Sequence, residues 1–209
     1  MSDRPASRPV ADAPERAAAS ISDAWRQWRS GVDLREYDTR WDRLAAEGHA
    51  VHGEADFVAS LDPGSVLDAG CGAGRVGAEL ARRGIEVVGV DNDPDLLRLA
   101  TAKPAPVRWV LDDLAAVRLG RRFDVVVLAG NVLPYVRPDD RADVVVNLAD
   151  HLAAGGGLVI GGQTVPGCGP AEIDHWCSTA GLRLAETWSG WEREAADDGA
   201  YRVSVHRVG

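Results

Sequence analysis

The chain is expected to fold as a doubly wound α/β domain built on a mostly parallel sheet. Three observations carry this expectation. A short apolar segment, Ser65–Ala69, runs into a loop with glycine at 70, 72 and 74 and then into a helical stretch. After it, apolar runs of strand length alternate with amphipathic segments of helix length. At the end, Leu182–Trp188 and Tyr201–Val208 read as strands with no helix between them. Alternating strands and helices predict a parallel sheet covered on both faces.

Residues 1–20 are rich in Ala, Pro, Ser, Arg and Asp and lack a periodic apolar face, so they are expected to be a disordered tail. Residues 21–61 read as an N-terminal helical cap. Trp25 and Trp28 lie three apart and Tyr37 and Trp41 four apart, each pair on one helical face. Asp62-Pro63-Gly64 is a turn that launches the first strand of the main domain, 62–209. Strands are expected at about 65–69, 86–90, 107–111, 123–129 and 157–162. Helices are expected at about 74–83, 94–102, 139–153 and 170–180. Gly84 ends the first of these helices. Asp93 caps the second, with Pro94 in its first turn. The run Ala154-Gly155-Gly156-Gly157 is expected to end the long third helix and feed the fifth strand.

Composition narrows the function classes. With 32 acidic against 23 basic residues and a net charge of −9, the chain disfavours a broad nucleic-acid footprint. No run reaches the roughly 18 apolar residues of a membrane span, and the N-terminus has no apolar signal core. Cys71, Cys168 and Cys177 form no C-x-x-C pair, so neither a zinc site nor a disulfide framework is implied. A cytoplasmic location follows as the default.

The glycine loop between strand and helix is the form of a nucleotide-type cofactor site, because glycine lets a ligand approach the backbone and helix amides point at the same spot. Gly72, Gly74 and Gly77 fit the dinucleotide pattern G-x-G-x-x-G. Asp68 argues against that reading, since an acid at the strand tip repels a pyrophosphate. A cofactor carrying an ammonium and a sulfonium would welcome it.

Leu67-Asp68-Ala69-Gly70-Cys71-Gly72-Ala73-Gly74 resembles motif I of the class I S-adenosylmethionine-dependent methyltransferases. The resemblance extends over roughly residues 60–209. It implies a seven-stranded sheet with an antiparallel hairpin at one edge, helices on both faces, and S-adenosylmethionine as cofactor. Asp91, at the tip of the second strand and about 20 residues past the loop, then corresponds to the acid that grips a ribose diol. An acceptor-only carboxylate can take both hydroxyl hydrogens. Asn92 follows near the adenine edge. Asp112 and Asp113 end the third strand, and the family places an Asp here on the adenine amino group. Asp113-Leu114 aligns with that motif more naturally than Asp112. The cofactor set implied is Asp68, Gly70, Cys71, Gly72, Gly74, Arg75, Asp91, Asn92, Asp112, Asp113, Leu114 and Gly130, with Cys71 read as loop packing and no metal.

Asn131 and Tyr135, after the fourth strand, are expected to face the methyl acceptor. Asn-Val-Leu-Pro-Tyr is similar to the Asn-Pro-Pro-Tyr box of amino-group methyltransferases but departs from it in spacing, so it selects no acceptor. General-base candidates are His49, His52, Glu54, Tyr135 and His175. His52 is favoured with Glu54, because N-terminal helices cover the cofactor in this family. The tryptophans at 25, 28, 41, 188 and 191 either line an aromatic acceptor pocket or pin the helices to the core, and the core reading is preferred. The expected activity is methyl transfer to a small-molecule acceptor by a monomer or homodimer. A nicotinamide-linked oxidoreductase and a non-catalytic cofactor-binding partner protein are the alternatives.

Overall fold

Asp68 and Asp91 end neighbouring central strands, and the order of those strands places them. In the structure, a computed structural model describing residues 12–196 and 199–209, the chain runs α1 (Ala13–Ser20), α2 (Asp23–Ser30), α3 (Leu34–Ala46), α4 (Gly53–Ala59), β1 (Ser65–Ala69), α5 (Arg75–Arg82), β2 (Glu86–Asp91), α6 (Pro94–Thr101), β3 (Val107–Leu111), β4 (Phe123–Leu128), α7 (Val132–Tyr135), α8 (Arg141–Ala149), β5 (Leu152–Gln163), α9 (Pro170–Thr179), β6 (Leu182–Trp188) and β7 (Tyr201–Val208). One sheet of seven strands has the order β3-β2-β1-β4-β5-β7-β6. β1 pairs in parallel with both β2 and β4, so the strand order reverses between β1 and β4. β7 lies antiparallel between β5 and β6, which makes the closing hairpin the sheet edge.

The central strands are apolar on both faces, as buried parallel strands must be. Leu67, Val126, Leu128 and Leu158 point into one core layer with Val145 and Leu148 of α8 and Cys177 of α9. Val66, Val125, Val127 and Val159 point into the other, against Phe57 and Val58 of α4 and Leu80 of α5. Fully burying side chains of this size is worth about 1.5–3 kcal/mol each before conformational entropy is subtracted. α4 is therefore part of the sheet's packing, although it precedes β1 in sequence.

Local signals set the element ends. Asp93 caps α6 by accepting from the amides of Asp95 (2.8 Å) and Leu96 (3.3 Å), with Pro94 in the first turn. Gly84, at φ +88°, follows α5.

Two expectations are corrected. Residues 13–20, expected within a disordered tail, form α1, while residues 1–11 lie outside the described residues. Asp12 caps this helix, Ala17 is buried, and Arg16 grips Asp112, 96 residues away. The helix rests on alanine contacts and an ion pair, which leave no apolar stripe to read. The helix expected over 139–153 spans only Arg141–Ala149, and β5 begins already at Leu152. The glycine run is a bulge within β5: the register against β4 shifts between Phe123 and Val125, and Gly155 takes φ +73°. At Gly156 a Cβ would stand 2.9 Å from the carbonyl of Ala153 and 3.0 Å from that of Asp124. Close backbone approach, not helix capping, is what these glycines permit.

Candidate cofactor and active site

The loop after β1 is stitched to β2 by its own backbone. The amides of Gly70 and Cys71 both donate to the carbonyl of Val90, at 2.8 and 3.0 Å. Gly70, Gly72 and Gly74 take φ of +75°, +54° and +76°, a region costly for residues with a Cβ. At Gly72 an added Cβ would meet only Leu96, at 3.9 Å, so the backbone there borders open space. Gly74 does a different job. A Cβ there would stand 2.6 Å from the indole of Trp109 and 2.8 Å from Ala100, and Gly74 is not among the cavity's walls.

Two acids anchor the floor. Asp91 accepts from the amides of Gly72 and Asp93, one on each oxygen, both at 2.8 Å. Each oxygen keeps a second lone pair. Asp68 accepts from the amide of Gly77 at 2.9 Å. Both are buried, and burial raises their pKa values, Asp68 to about 7 and Asp91 to about 6. Burial also raises the Cys71 thiol well above its ordinary value, which leaves it an inert packing group.

These residues border a cavity of about 370 Å³. Its walls include Asp68, Gly70, Cys71, Gly72, Arg75, Asp91, Asn92, Asp113, Leu114, Gly130, Asn131 and Tyr135, so twelve of the residues singled out in the sequence converge there. Asp112 does not. Its carboxylate is taken by Arg16, at 3.0 Å to one oxygen and 2.7 Å to the other, whereas Asp113 reaches the cavity. Desolvation is the main influence on Asp113 and raises its pKa.

His52 also stands apart. It precedes α4, with Nε2 3.8 Å from a Glu79 carboxylate oxygen, while Glu54, two residues on, faces the cavity. Residues two apart do not share a helical face. Glu54 in turn is ion-paired with Arg75, which also donates to the carbonyl of Val51 at 2.6 Å. Asn131 lines the cavity but its side-chain oxygen accepts from the Gln163 amide at 2.6 Å, fastening the β4–α7 junction to β5. His49 and His175 are not among the cavity's walls either.

The preferred core reading of the tryptophans fails for three of them. Trp25, Trp28 and Trp41, with Tyr37 and Tyr135, form an aromatic wall of the cavity. Trp25 stacks on Trp28 at 4.6 Å, and Tyr135 meets Trp25 edge-on at 5.3 Å. Trp188 and Trp191 do pack on the core. Helical spacing identified which aromatics share a face, but not whether that face meets a packed layer or a cavity.

The N-terminal segment is tied to the cavity's walls. Asn92 donates to the Ser20 hydroxyl at 3.0 Å, Ser22 donates to the Tyr135 carbonyl at 2.5 Å, and the Trp25 indole donates to Asp93 at 3.2 Å.

The donor set fits S-adenosylmethionine. Carboxylates with spare lone pairs meet hydroxyls and cationic centres, and the open face of Gly72 admits a close ligand. A methyltransferase-domain family model matches residues 66–156. A TehB-like S-adenosylmethionine-dependent methyltransferase from Corynebacterium glutamicum is 32% identical, with a TM-score of 0.75 over 83% of this chain and 96% of that one. The chain belongs to the class I S-adenosylmethionine-dependent methyltransferases. Its cofactor is S-adenosylmethionine.

Among curated relatives, magnesium-protoporphyrin O-methyltransferase from Rhodobacter capsulatus is 42% identical over 79 residues. That match spans 35% of this methyltransferase and 35% of the relative's length. The dTDP-3-amino-3,4,6-trideoxy-alpha-D-glucopyranose N,N-dimethyltransferase of Streptomyces venezuelae is 26% identical over 156 residues, 73% of this chain and 65% of its own.

Proposed function

We propose that this methyltransferase transfers the methyl group of S-adenosylmethionine to a small molecule held against the aromatic wall of the cavity. The observation that carries the reading is the wall itself. A cavity of about 370 Å³, lined by Trp25, Trp28 and Tyr135 together with the glycine loop, has the size and chemistry of a small-ligand site. The relatives named for porphyrin and amino-sugar methylation point to the same class of acceptor. The net charge of −9 opposes a nucleic-acid acceptor.

The cofactor supplies a methyl group already activated by its sulfonium. The chain's task is to align the reacting atoms and exclude water. In this reading Asp91 takes the ribose hydroxyls, Asp113 the adenine amino group, and Asp68 stabilises positive charge beside the loop. Asn131 and Tyr135 border the acceptor. The reaction would run in the cytoplasm, in keeping with three free, buried thiols.

Calorimetry with S-adenosylmethionine and NAD, followed by a screen of small amines, hydroxy acids and phenols for a mass gain of one methyl, tests the reading. Binding of S-adenosylmethionine alone and methylation of a small acceptor are expected. Trp28→Ala should raise the acceptor KM while leaving cofactor affinity unchanged. Binding of NAD in preference to S-adenosylmethionine would overturn the proposal.

A further inference from the structure

α7 is a single turn, and it is held from outside. Its four residues follow Asn131, which takes φ +68°. One turn fixes several dihedrals for few bonds of its own, and the last carbonyls of a helix have no partner within it. Ser22 takes the carbonyl of Tyr135. Arg141 takes the two before it: Nε donates to the carbonyl of Leu133 at 3.1 Å and Nη2 to that of Pro134 at 3.3 Å. Its third nitrogen, Nη1, donates to the carbonyl of Gly167 at 3.0 Å, in the connection between β5 and α9.

Arg141 opens α8 and is only 6% exposed, yet among the described residues no carboxylate pairs with it. Burying a cation without a counter-ion is costly, and an apolar side chain would fill the volume without that cost. What the guanidinium adds is a rigid fork of donors. One end of the fork is a fixed point. Gly167 sits in a tight turn where the Cys168 amide donates to the Val165 carbonyl at 2.9 Å, and Cys168 is buried in the core. The other end is α7, which carries Tyr135 into the aromatic wall, 5.3 Å from Trp25 and 5.9 Å from Trp28. Arg141 itself is not among the cavity's walls.

We propose that Arg141 is a positioning residue of the acceptor site: its guanidinium clamps α7 to the β5–α9 connection and so sets the ring of Tyr135 in the aromatic wall. The acceptor part of this role rests on the reading of that wall as the place where the acceptor is held. Arg141 acts on the acceptor through Tyr135 and touches no ligand. The cofactor side depends on it less. Val132 of α7 does lie against Gly70, where an added Cβ would stand 2.6 Å from its methyls, but the Gly70 amide is held independently by the Val90 carbonyl.

The test compares wild type, Arg141→Gln, Arg141→Lys, Tyr135→Ala and the double variant Arg141→Gln/Tyr135→Ala by near-ultraviolet circular dichroism, with calorimetry of S-adenosylhomocysteine alongside. Tyr135→Ala removes the part of the aromatic signal that comes from its ring against the two indoles. Arg141→Gln is expected to lose that same part, and the double variant to lose no more than Tyr135→Ala, because both changes act on one ring. Arg141→Lys keeps the charge but not the fork and should fall between. S-adenosylhomocysteine should bind each variant within about threefold of wild type. With an acceptor that gains a methyl in the screen, Arg141→Gln should raise KM about five- to tenfold and leave kcat within about twofold. A wild-type aromatic signal in Arg141→Gln would overturn the proposal, since α7 would then hold without the clamp. A further loss in the double variant would overturn it too, because Arg141 would then serve the core at large. If Arg141→Gln does not fold, Arg141→Lys carries the comparison, and a signal equal to wild type overturns the proposal. Failure of the wild type to bind S-adenosylhomocysteine would instead defeat the reading of the cavity, while the spectra still decide whether Arg141 sets Tyr135.

Discussion

Asp91 accepts the amide of Gly72 at 2.8 Å, so the acid at the tip of β2 and the glycine loop at the tip of β1 form one rigid unit. On the proposed function, the carboxylate assigned to the ribose also holds the loop assigned to the rest of the cofactor. Its second oxygen accepts from Asp93, the residue that caps α6. One side chain thereby sets the positions of three elements around the cavity.

Substituting Asp91 by alanine should weaken S-adenosylmethionine binding by about 1–3 kcal/mol, because paired hydrogen bonds to the ligand and the support of Gly72 are lost together. Asp91→Asn keeps one acceptor oxygen and should fall between. Calorimetry reads both, and an Asp91→Ala affinity equal to wild type would exclude the ribose role.

The glycine loop and Asp91 were legible in the sequence because they are local. A strand, positive-φ glycines and a helix follow one another within about a dozen residues, and each has its own residue signature. The capping of α6 by Asp93 was legible for the same reason. What could not be read depends on distant partners. Asp112 and Asp113 are adjacent, and only Arg16, 96 residues away, takes one and leaves the other to the cavity. Trp25 and Trp28 share a helical face whether that face meets a core or a ligand. The glycines at 155 and 156 signal a tight backbone in either a helix cap or a bulge, and the pairing of β5 with β4 decides between them. His52 is a candidate because N-terminal helices cover the cofactor in this family, yet it faces Glu79.

Cofactor binding should strengthen as pH rises from about 6 to 8. The folded pKa values of Asp68, about 7, and Asp91, about 6, lie above the ordinary carboxylate value of about 3.9. The ligand-free protein thus favours the protonated acids. Their contribution to stability is fully present below pH about 4 and is lost as pH rises through 6 to 7. A cationic ligand favours the ionised acids, so binding should release protons in this window. Calorimetry in buffers of different ionisation enthalpy measures that release. Asp68→Asn should flatten both the stability profile and the proton release; an unchanged profile would refute the linkage.

Gly74 and Gly84 offer a controlled comparison of strain against packing. Both have positive φ, +76° and +88°, but a Cβ at Gly84 meets nothing within 4 Å, whereas one at Gly74 stands 2.6 Å from Trp109. Gly84→Ala should cost about 1–2 kcal/mol, the left-handed backbone penalty alone. Gly74→Ala should add roughly 1–3 kcal/mol for overpacking. Urea unfolding of the two variants reads the difference, and equal costs would show that the Trp109 indole moves aside freely.

The attachment of α1 can be separated from the stability of the sheet. α1 buries Ala17 and Ser20 and is held at Asp112 by Arg16, with Asn92 reaching the Ser20 hydroxyl. It adds little to either core layer, so its opening should be a local event well below the global unfolding free energy. Arg16→Gln removes the charge but keeps a similar stem. Hydrogen exchange should then show lost protection at the amides of 16–20, with the amides of β1 and β4 unchanged. Because Asp112 also accepts the amide of Asp113 at 2.8 Å, Asp112→Ala should loosen α1 and the cavity-facing Asp113 together. That pair of variants distinguishes a helix held by its ion pair from one held by Ala17. If α1 keeps its protection in Arg16→Gln, packing alone retains it, and the ion pair serves only to position Asp112.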